Sequence, residues 1–135
     1  MTYKVVIKGV DSIFPLKGLN ELLESRLYNP RTKKYHNPVK TFNDRVCLKA
    51  IKHSLPTVHI DKPIKCTFYI YAVDKMHDRG NLYSAIEKSF LDALQIAKVI
   101  KNDGWDDVLD SIFRTEVDKE NPRVVVEIEV LGKEK

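Results

Sequence analysis

Residues 64–73 (IKCTFYIYAV) constrain this chain more than any other stretch. Ile64, Cys66, Phe68, Ile70 and Ala72 face one way, and Thr67, Tyr69, Tyr71 and Val73 the other. Period-two alternation rich in β-branched and aromatic residues predicts a strand, and apolar groups on both sides predict an interior one. The strand runs straight into Asp74-Lys75-Met76-His77-Asp78. From about Arg79 or Asn81 the period becomes helical: Leu82, Ala85, Ile86, Phe90, Ala93 and Leu94 supply a core side up to Leu94. Asn81, Lys88 and Asp92 fall seven and four residues apart, which sets them along one stripe of that helix.

The flanking elements follow from the same reasoning. Residues 2–10 alternate and are rich in β-branched residues, so they read as a first strand. Leu19, Leu22, Leu23 and Leu27 have helical spacing and predict a short amphipathic helix with a core-facing leucine stripe. Residues 28–37 (YNPRTKKYHN) show no periodicity and read as a loop. Pro38 after Asn37 suits a helix start, with Thr41 and Asp44 as a competing one. That helix presents Phe42, Val46, Cys47 and Ala50 as its apolar face and ends near Ser54 or Leu55, ahead of Pro56. Residues 110–117 and 123–131 read as strands joined by the five residues Asp118-Lys119-Glu120-Asn121-Pro122, and so as a terminal β-hairpin. The expectation is an α+β fold: one domain over residues 1–135, with a mixed sheet of about four strands covered by helices.

Composition narrows the class. The apolar runs fall well short of the roughly 20 residues of a membrane span, and MTYKVVIKG has no signal-peptide core, which predicts a cytoplasmic protein and no membrane partner. Cys47 and Cys66 lack metal-ligand spacing and read as buried free thiols. His53 and His59 read as surface or packing residues. Between Lys17 and His53 nine Lys and Arg residues face only Glu21, Glu24 and Asp44, a balance compatible with a polyanion. Within that stretch Arg31, Lys33 and Lys34 are candidate phosphate contacts, and Tyr35 is a candidate for stacking on an unpaired base.

The acidic groups carry the chemistry. Asp78 stands at a helix mouth, and Asp103, Asp106 and Asp107 follow a short apolar connection. Capping and the helix dipole alone account for an aspartate at a helix start. Carboxylates at a strand end with a lysine further along also suit a hard divalent cation, which takes one or two protein carboxylates and lets phosphate and water supply the rest.

The ordered series Asp78-Arg79-Gly80-Asn81-Leu82, then Lys88-Ser89-Phe90-Leu91-Asp92-Ala93-Leu94, then Val99-Ile100-Lys101-Asn102-Asp103-Gly104-Trp105 resembles the RusA-like Holliday-junction resolvases of phages and prophages. Their pattern is Asp-x-Asp-Asn-(Leu/Ile), a lysine-bearing helix with a Leu-Asp-Ala-Leu-like stretch, and a later aspartate. Gly18-Leu19-Asn20-Glu21 and Val117-Asp118-Lys119-Glu120-Asn121-Pro122-Arg123-Val124 are similar to segments of Gram-positive phage members, so the likeness spans most of the chain. It implies a RusA-like fold and a homodimer that resolves four-way junctions and other branched DNA in recombination and repair. The cofactor implied is magnesium, with manganese as the alternative, and the setting a bacterial host cell.

Under this resemblance Asp78 and Asp103 hold the cation, and Lys88 stabilises the charge developing on the phosphate. Asn81 fixes the loop or touches phosphate, Lys75 and Arg79 add DNA contacts, and Asp92 orients Lys88 or plays a structural part. Gly80 departs from the pattern, standing where a second aspartate is expected. Asp74 or Asp106, or phosphate and water, would fill that place; otherwise cleavage is weakened or lost and junction binding remains.

Overall fold

The computed structural model of the protein describes residues 1–9, 14–16, 27–32, 34–36, 38–75 and 79–132, with the backbone alone at 27–29, 34–36 and 81. The leucine helix expected at 19–27 lies, but for Leu27, outside the described residues, as do Lys33 and Asp78. In chain order the elements are β1 (Thr2–Lys8), β2 (Leu27–Asn29), β3 (Lys34–His36), α1 (Pro38–Ser54), β4 (Ile64–Ala72), α2 (Arg79–Ile96), β5 (Val108–Val117) and β6 (Arg123–Val130).

The fold is α+β: a mixed four-stranded sheet in the order β1-β6-β4-β5, with two helices. β6 runs antiparallel to both β1 and β4, whereas β4 and β5 are parallel. A parallel pair needs a long crossover, and α2 is that crossover. The interior position expected of 64–73 holds: Ile64, Cys66 and Phe68 have no exposed surface and Ile70 only 1%. α2 turns Leu82, Ala85, Ile86, Phe90, Ala93 and Leu94 into the core, as its period predicts. Phe68 meets Phe90 edge-on at 5.6 Å and stacks on Phe113 at 4.9 Å, with Tyr83 stacked on the far side of Phe113 at 4.5 Å. This aromatic column fixes α2 against β4 and β5.

Three expectations are corrected. β5 and β6 do not form a hairpin, because β4 lies between them. The 118–122 link passes over the end of β4, where the Asp118 amide donates to the Ala72 carbonyl at 2.8 Å. A hairpin would have left the most apolar strand with one neighbour; the crossed link gives it two. Asp118 folds the link by accepting from the Asn121 amide at 3.1 Å and from the Arg123 guanidinium at 2.8 Å. The guanidinium holds the Asp118 carboxyl below its usual range, helped by the backbone amides of the turn.

The 28–37 stretch is not wholly loop, since β2 and β3 pair with Tyr28 opposite Tyr35 around a turn at 30–32. Finally, α1 begins and ends where proline chemistry predicts, but is rotated about its axis. Asn43, Cys47 and Ile51 are buried, while Phe42 is 42% exposed. Cys47 and Ile51 set the inward row, and in this setting the Lys40 ammonium lies 2.7 Å from Asp44 and 3.1 Å from Asp92 on α2, tying the two helices together. Both cysteines are buried free thiols, and burial pushes each up to about 12.

Candidate active site

Because β4 and β5 are parallel and register Ala72 against Val117, both strands finish at the same end of the sheet. Crevices beyond the carboxyl ends of parallel strands are the usual ligand positions in such units. Here a small cavity of about 160 Å³ opens. Ala72, Leu82 and Val117 give it an apolar wall, Thr115 a polar one, and Asp74, Lys75, Arg79 and Glu116 border it. Tyr83 shares a 2.6 Å hydrogen bond with Thr115, which holds the first turns of α2 over β5.

Arg79 is the first residue of α2, so the positive end of an 18-residue helix dipole faces this corner. Lys75 and Arg79 are exposed, and both border the cavity. An anion is favoured there by the helix N-terminus and two cations. Asp74 and the backbone of Asn81 are at the same end; Asp78, next to Arg79 in the chain, lies outside the described residues.

The second acidic group is at the other end. Asp103 and Asp106 are exposed on a turn in which Asp107 and Val108 both donate to the Gly104 carbonyl at 3.0 Å. The Asp107 carbonyl accepts from the amide of Ile64, the first residue of β4, at 2.9 Å. Eight strand steps of about 3.3 Å separate Ile64 from Ala72, roughly 26 Å. One chain therefore does not unite Asp74 with Asp103 or Asp106 around an ion that needs oxygen at about 2.1 Å. The reason is topological. α2 runs its full length back along the sheet, and a parallel β5 must start beside the start of β4. Among the described residues no three His, Cys, Asp or Glu side chains are gathered closely enough to hold a metal.

The remaining candidates divide. Lys88 is exposed on α2, about 10 Å along the axis from Asn81 at 1.5 Å per residue. Asp92 does not orient it; the Lys40 ammonium takes that carboxylate, leaving Asp92 the structural part. Arg31 is exposed in the turn between β2 and β3, Lys34 and Tyr35 lie on β3, and Lys33 lies outside the described residues. His59 is a surface residue, one of the two roles expected of it, with its Nδ1 2.6 Å from the Lys98 carbonyl.

Sequence reasoning missed Thr115, Glu116 and Val117 as borders of the cavity. The signal was available: a strand, a helix and a second strand in succession imply a parallel pair whose ends coincide. It also passed over Trp105, the one tryptophan, which is 95% exposed between Asp103 and Asp106. No described helix is long and apolar enough to cross a membrane. Compared with known protein families and with curated proteins, the chain matches no family model and no curated sequence.

Proposed function

We propose that this chain is a divalent-metal-dependent, structure-selective DNA endonuclease of the RusA-like kind, acting as a homodimer on four-way junctions and other branched DNA. The cytoplasm of a bacterial host, with the gene carried by a phage or prophage, is the setting this reading implies. The observation that carries it is the cavity where β4 and β5 end: Asp74, Lys75, Arg79 and the N-terminus of α2 converge on one small crevice suited to a phosphate and a cation.

The donor set is hard oxygen, which fits magnesium, or manganese in its place. Asp74 and Asp78 would hold the ion from one chain. Because Asp103 and Asp106 stand at the far end of the sheet, their contribution has to come from a second chain, and the proposal requires a dimer. When bound, the cation supplies a water of lowered pKa and neutralises charge on the phosphate. Lys75 and Arg79 hold the phosphate, and Asn81 fixes the helix mouth. Lys88 supplies a further cation on the exposed side of α2 for the charge that develops as the bond breaks.

The test is cleavage of a synthetic four-way junction across a magnesium titration. Asp78→Asn and Asp103→Asn are each expected to abolish it. An equimolar mixture of the two variants regains activity, because a mixed dimer holds one site with both carboxylates intact. No cleavage at any magnesium or manganese concentration sinks the enzyme reading.

A second reading, a relative that binds branched DNA or a partner protein without cutting, is favoured by one observation: Gly80, exposed in the first turn of α2, brings no carboxylate to the helix mouth. It predicts salt-dependent junction binding without cleavage, and cleavage gained in Gly80→Asp.

A further inference from the structure

β1 stands at one edge of the sheet, with β6 beside it and no other strand pairing with it among the described residues. Register says which backbone groups lie on its outer side. The Val130 amide donates to the Met1 carbonyl at 2.9 Å and the Gly9 amide to the Pro122 carbonyl at 3.1 Å. Odd-numbered residues of β1 therefore turn their backbone groups towards β6, and in an antiparallel ladder the residues between them turn theirs away. Thr2, Lys4, Val6 and Lys8 present amides and carbonyls outward.

A groove of about 680 Å³ runs beside that edge. Val6, Ile7 and Lys8 line it from β1, and Val46, Ala50 and His53 from α1. Val46, Ala50 and His53 recur at helical spacing, one row round from buried Cys47 and Ile51, and Val46 and Ala50 are half-buried. The helix so lays an apolar strip along an open strand edge. The charges have one sign: Lys8 and Lys49 are exposed cations on the groove, and among the described residues no carboxylate lines it.

We infer that an extended segment of a partner protein, in which carboxylates alternate with apolar side chains, adds to β1 as a further strand. Its backbone takes up the outward amides and carbonyls of Lys4, Val6 and Lys8. Alternate residues of a strand point to opposite faces. On the α1 side, where Val5 and Ile7 enter the core, its apolar side chains fill the groove against Val46 and Ala50. On the other side, its carboxylates stand across from Lys4 and Lys8. A second β1 fits poorly, since laid antiparallel about Val6 it sets Lys4 opposite Lys8. Nucleic acid fits poorly too, because it brings phosphate oxygens against outward carbonyls and an apolar strip. The inference goes beyond the nuclease reading and stands without it: β1 is at the opposite edge of the sheet from β5, so docking there leaves the cavity open.

The probe is a fluorescein-labelled peptide of seven residues, the length of β1, in which valine alternates with glutamate. Titrated with the full chain at low salt and followed by anisotropy, it is expected to bind below about 100 µM. Lysine in place of glutamate should weaken binding at least about tenfold. N-methylation of every second peptide amide should abolish binding in one phase and spare it in the other, as only one set of amides faces β1. Hydrogen exchange at Lys4, Val6 and Lys8, fast in the free chain, should slow when the peptide saturates it. Val6→Pro, which removes an outward amide at a position edge strands tolerate, and Lys8→Glu with Lys49→Glu should each weaken binding about tenfold or more, with circular dichroism reporting an intact fold. No binding at about 1 mM overturns the inference, as does binding indifferent to N-methylation in either phase or to charge reversal. Slow exchange of those amides in the free chain also overturns it, because the edge is then already occupied. It is equally overturned if a four-way junction displaces the peptide and Lys8→Glu with Lys49→Glu weakens the junction while Val6→Pro weakens neither, since the groove then belongs to nucleic acid.

Discussion

Lys98 sits where a glycine would cost less. α2 closes with the Lys98 amide donating to the Gln95 carbonyl at 3.0 Å and the Val99 amide to the Leu94 carbonyl at 2.9 Å. This is the Schellman arrangement, whose C′ residue is left-handed and commonly glycine. Here C′ is Lys98, with φ of 61°, and the hydrophobic contact expected of the motif has its partners in buried Leu94 and Val99. An L side chain in that conformation costs about 1–2 kcal/mol. Glycine removes this but adds roughly 0.4–1 kcal/mol of unfolded-chain freedom. The Lys98 side chain is exposed, so little else is lost. Lys98→Gly should therefore stabilise the protein by about 0.5–1 kcal/mol. With about 2.1 cal/mol/K of unfolding entropy per residue, a chain of this length should gain roughly 2–4 °C in Tm. Thermal melts followed by circular dichroism check it, with Lys98→Ala as the control that keeps the strained backbone and gains nothing. A Tm for Lys98→Gly at or below that of the wild type would refute the reasoning, because the αL cost would then not be present in the folded state.

Lys40→Met removes the cation shared by Asp44 and Asp92 and should cost about 1 kcal/mol, read as a lower urea midpoint at unchanged m. Burial pulls the Lys40 pKa down, but the two carboxylates outweigh it and leave it raised. Its contribution is thus complete below about pH 10.4 and is lost as pH rises through the folded value, and Lys40→Met should remove that part of the alkaline loss. The Cys47 and Cys66 thiols, raised to about 12, should resist a water-soluble disulfide reagent at pH 8 in the native protein and both react once urea unfolds it; fast native labelling of either would show that its element opens. Gly80→Asp relieves a glycine in the first helical turn and adds an anion at the positive helix end, for a combined gain of about 1 kcal/mol in a thermal melt, whether or not the chain cuts DNA.

Elements were legible wherever one period dominated. The alternation at 64–73, the 3.6-residue repeat of α2 and the proline brackets of α1 each fixed a type and most of a boundary. What local pattern does not encode is which strands become neighbours. The 118–122 link has the length and composition of a hairpin turn, and nothing within it states that β4 will be threaded between β5 and β6. That follows from a global condition: β4 is apolar enough to need covering on both edges, and β1 and β6 pair over their whole length to close the far side. The rotation of α1 escaped for a similar reason. Phe42 is the more apolar residue, but Cys47 and Ile51, both without exposed surface in the shared core, set the row that turns inward, and Asn43 rather than Phe42 lies on it.

The same distinction governs the site. Residue types were readable, because aspartates before and after a helix with lysine along it are visible in one dimension. Their convergence was not, because spacing along a chain says nothing about direction once a rigid helix intervenes. A helix leading from the end of one strand to the start of a parallel neighbour must deliver its two flanking loops to opposite ends of the sheet. Acids in those loops can share an ion only if a second chain lies antiparallel to the first. Mixing the Asp78→Asn and Asp103→Asn variants tests that requirement directly, because a site built from two chains regains cleavage when each chain lacks a different carboxylate, whereas a site confined to one chain stays inert.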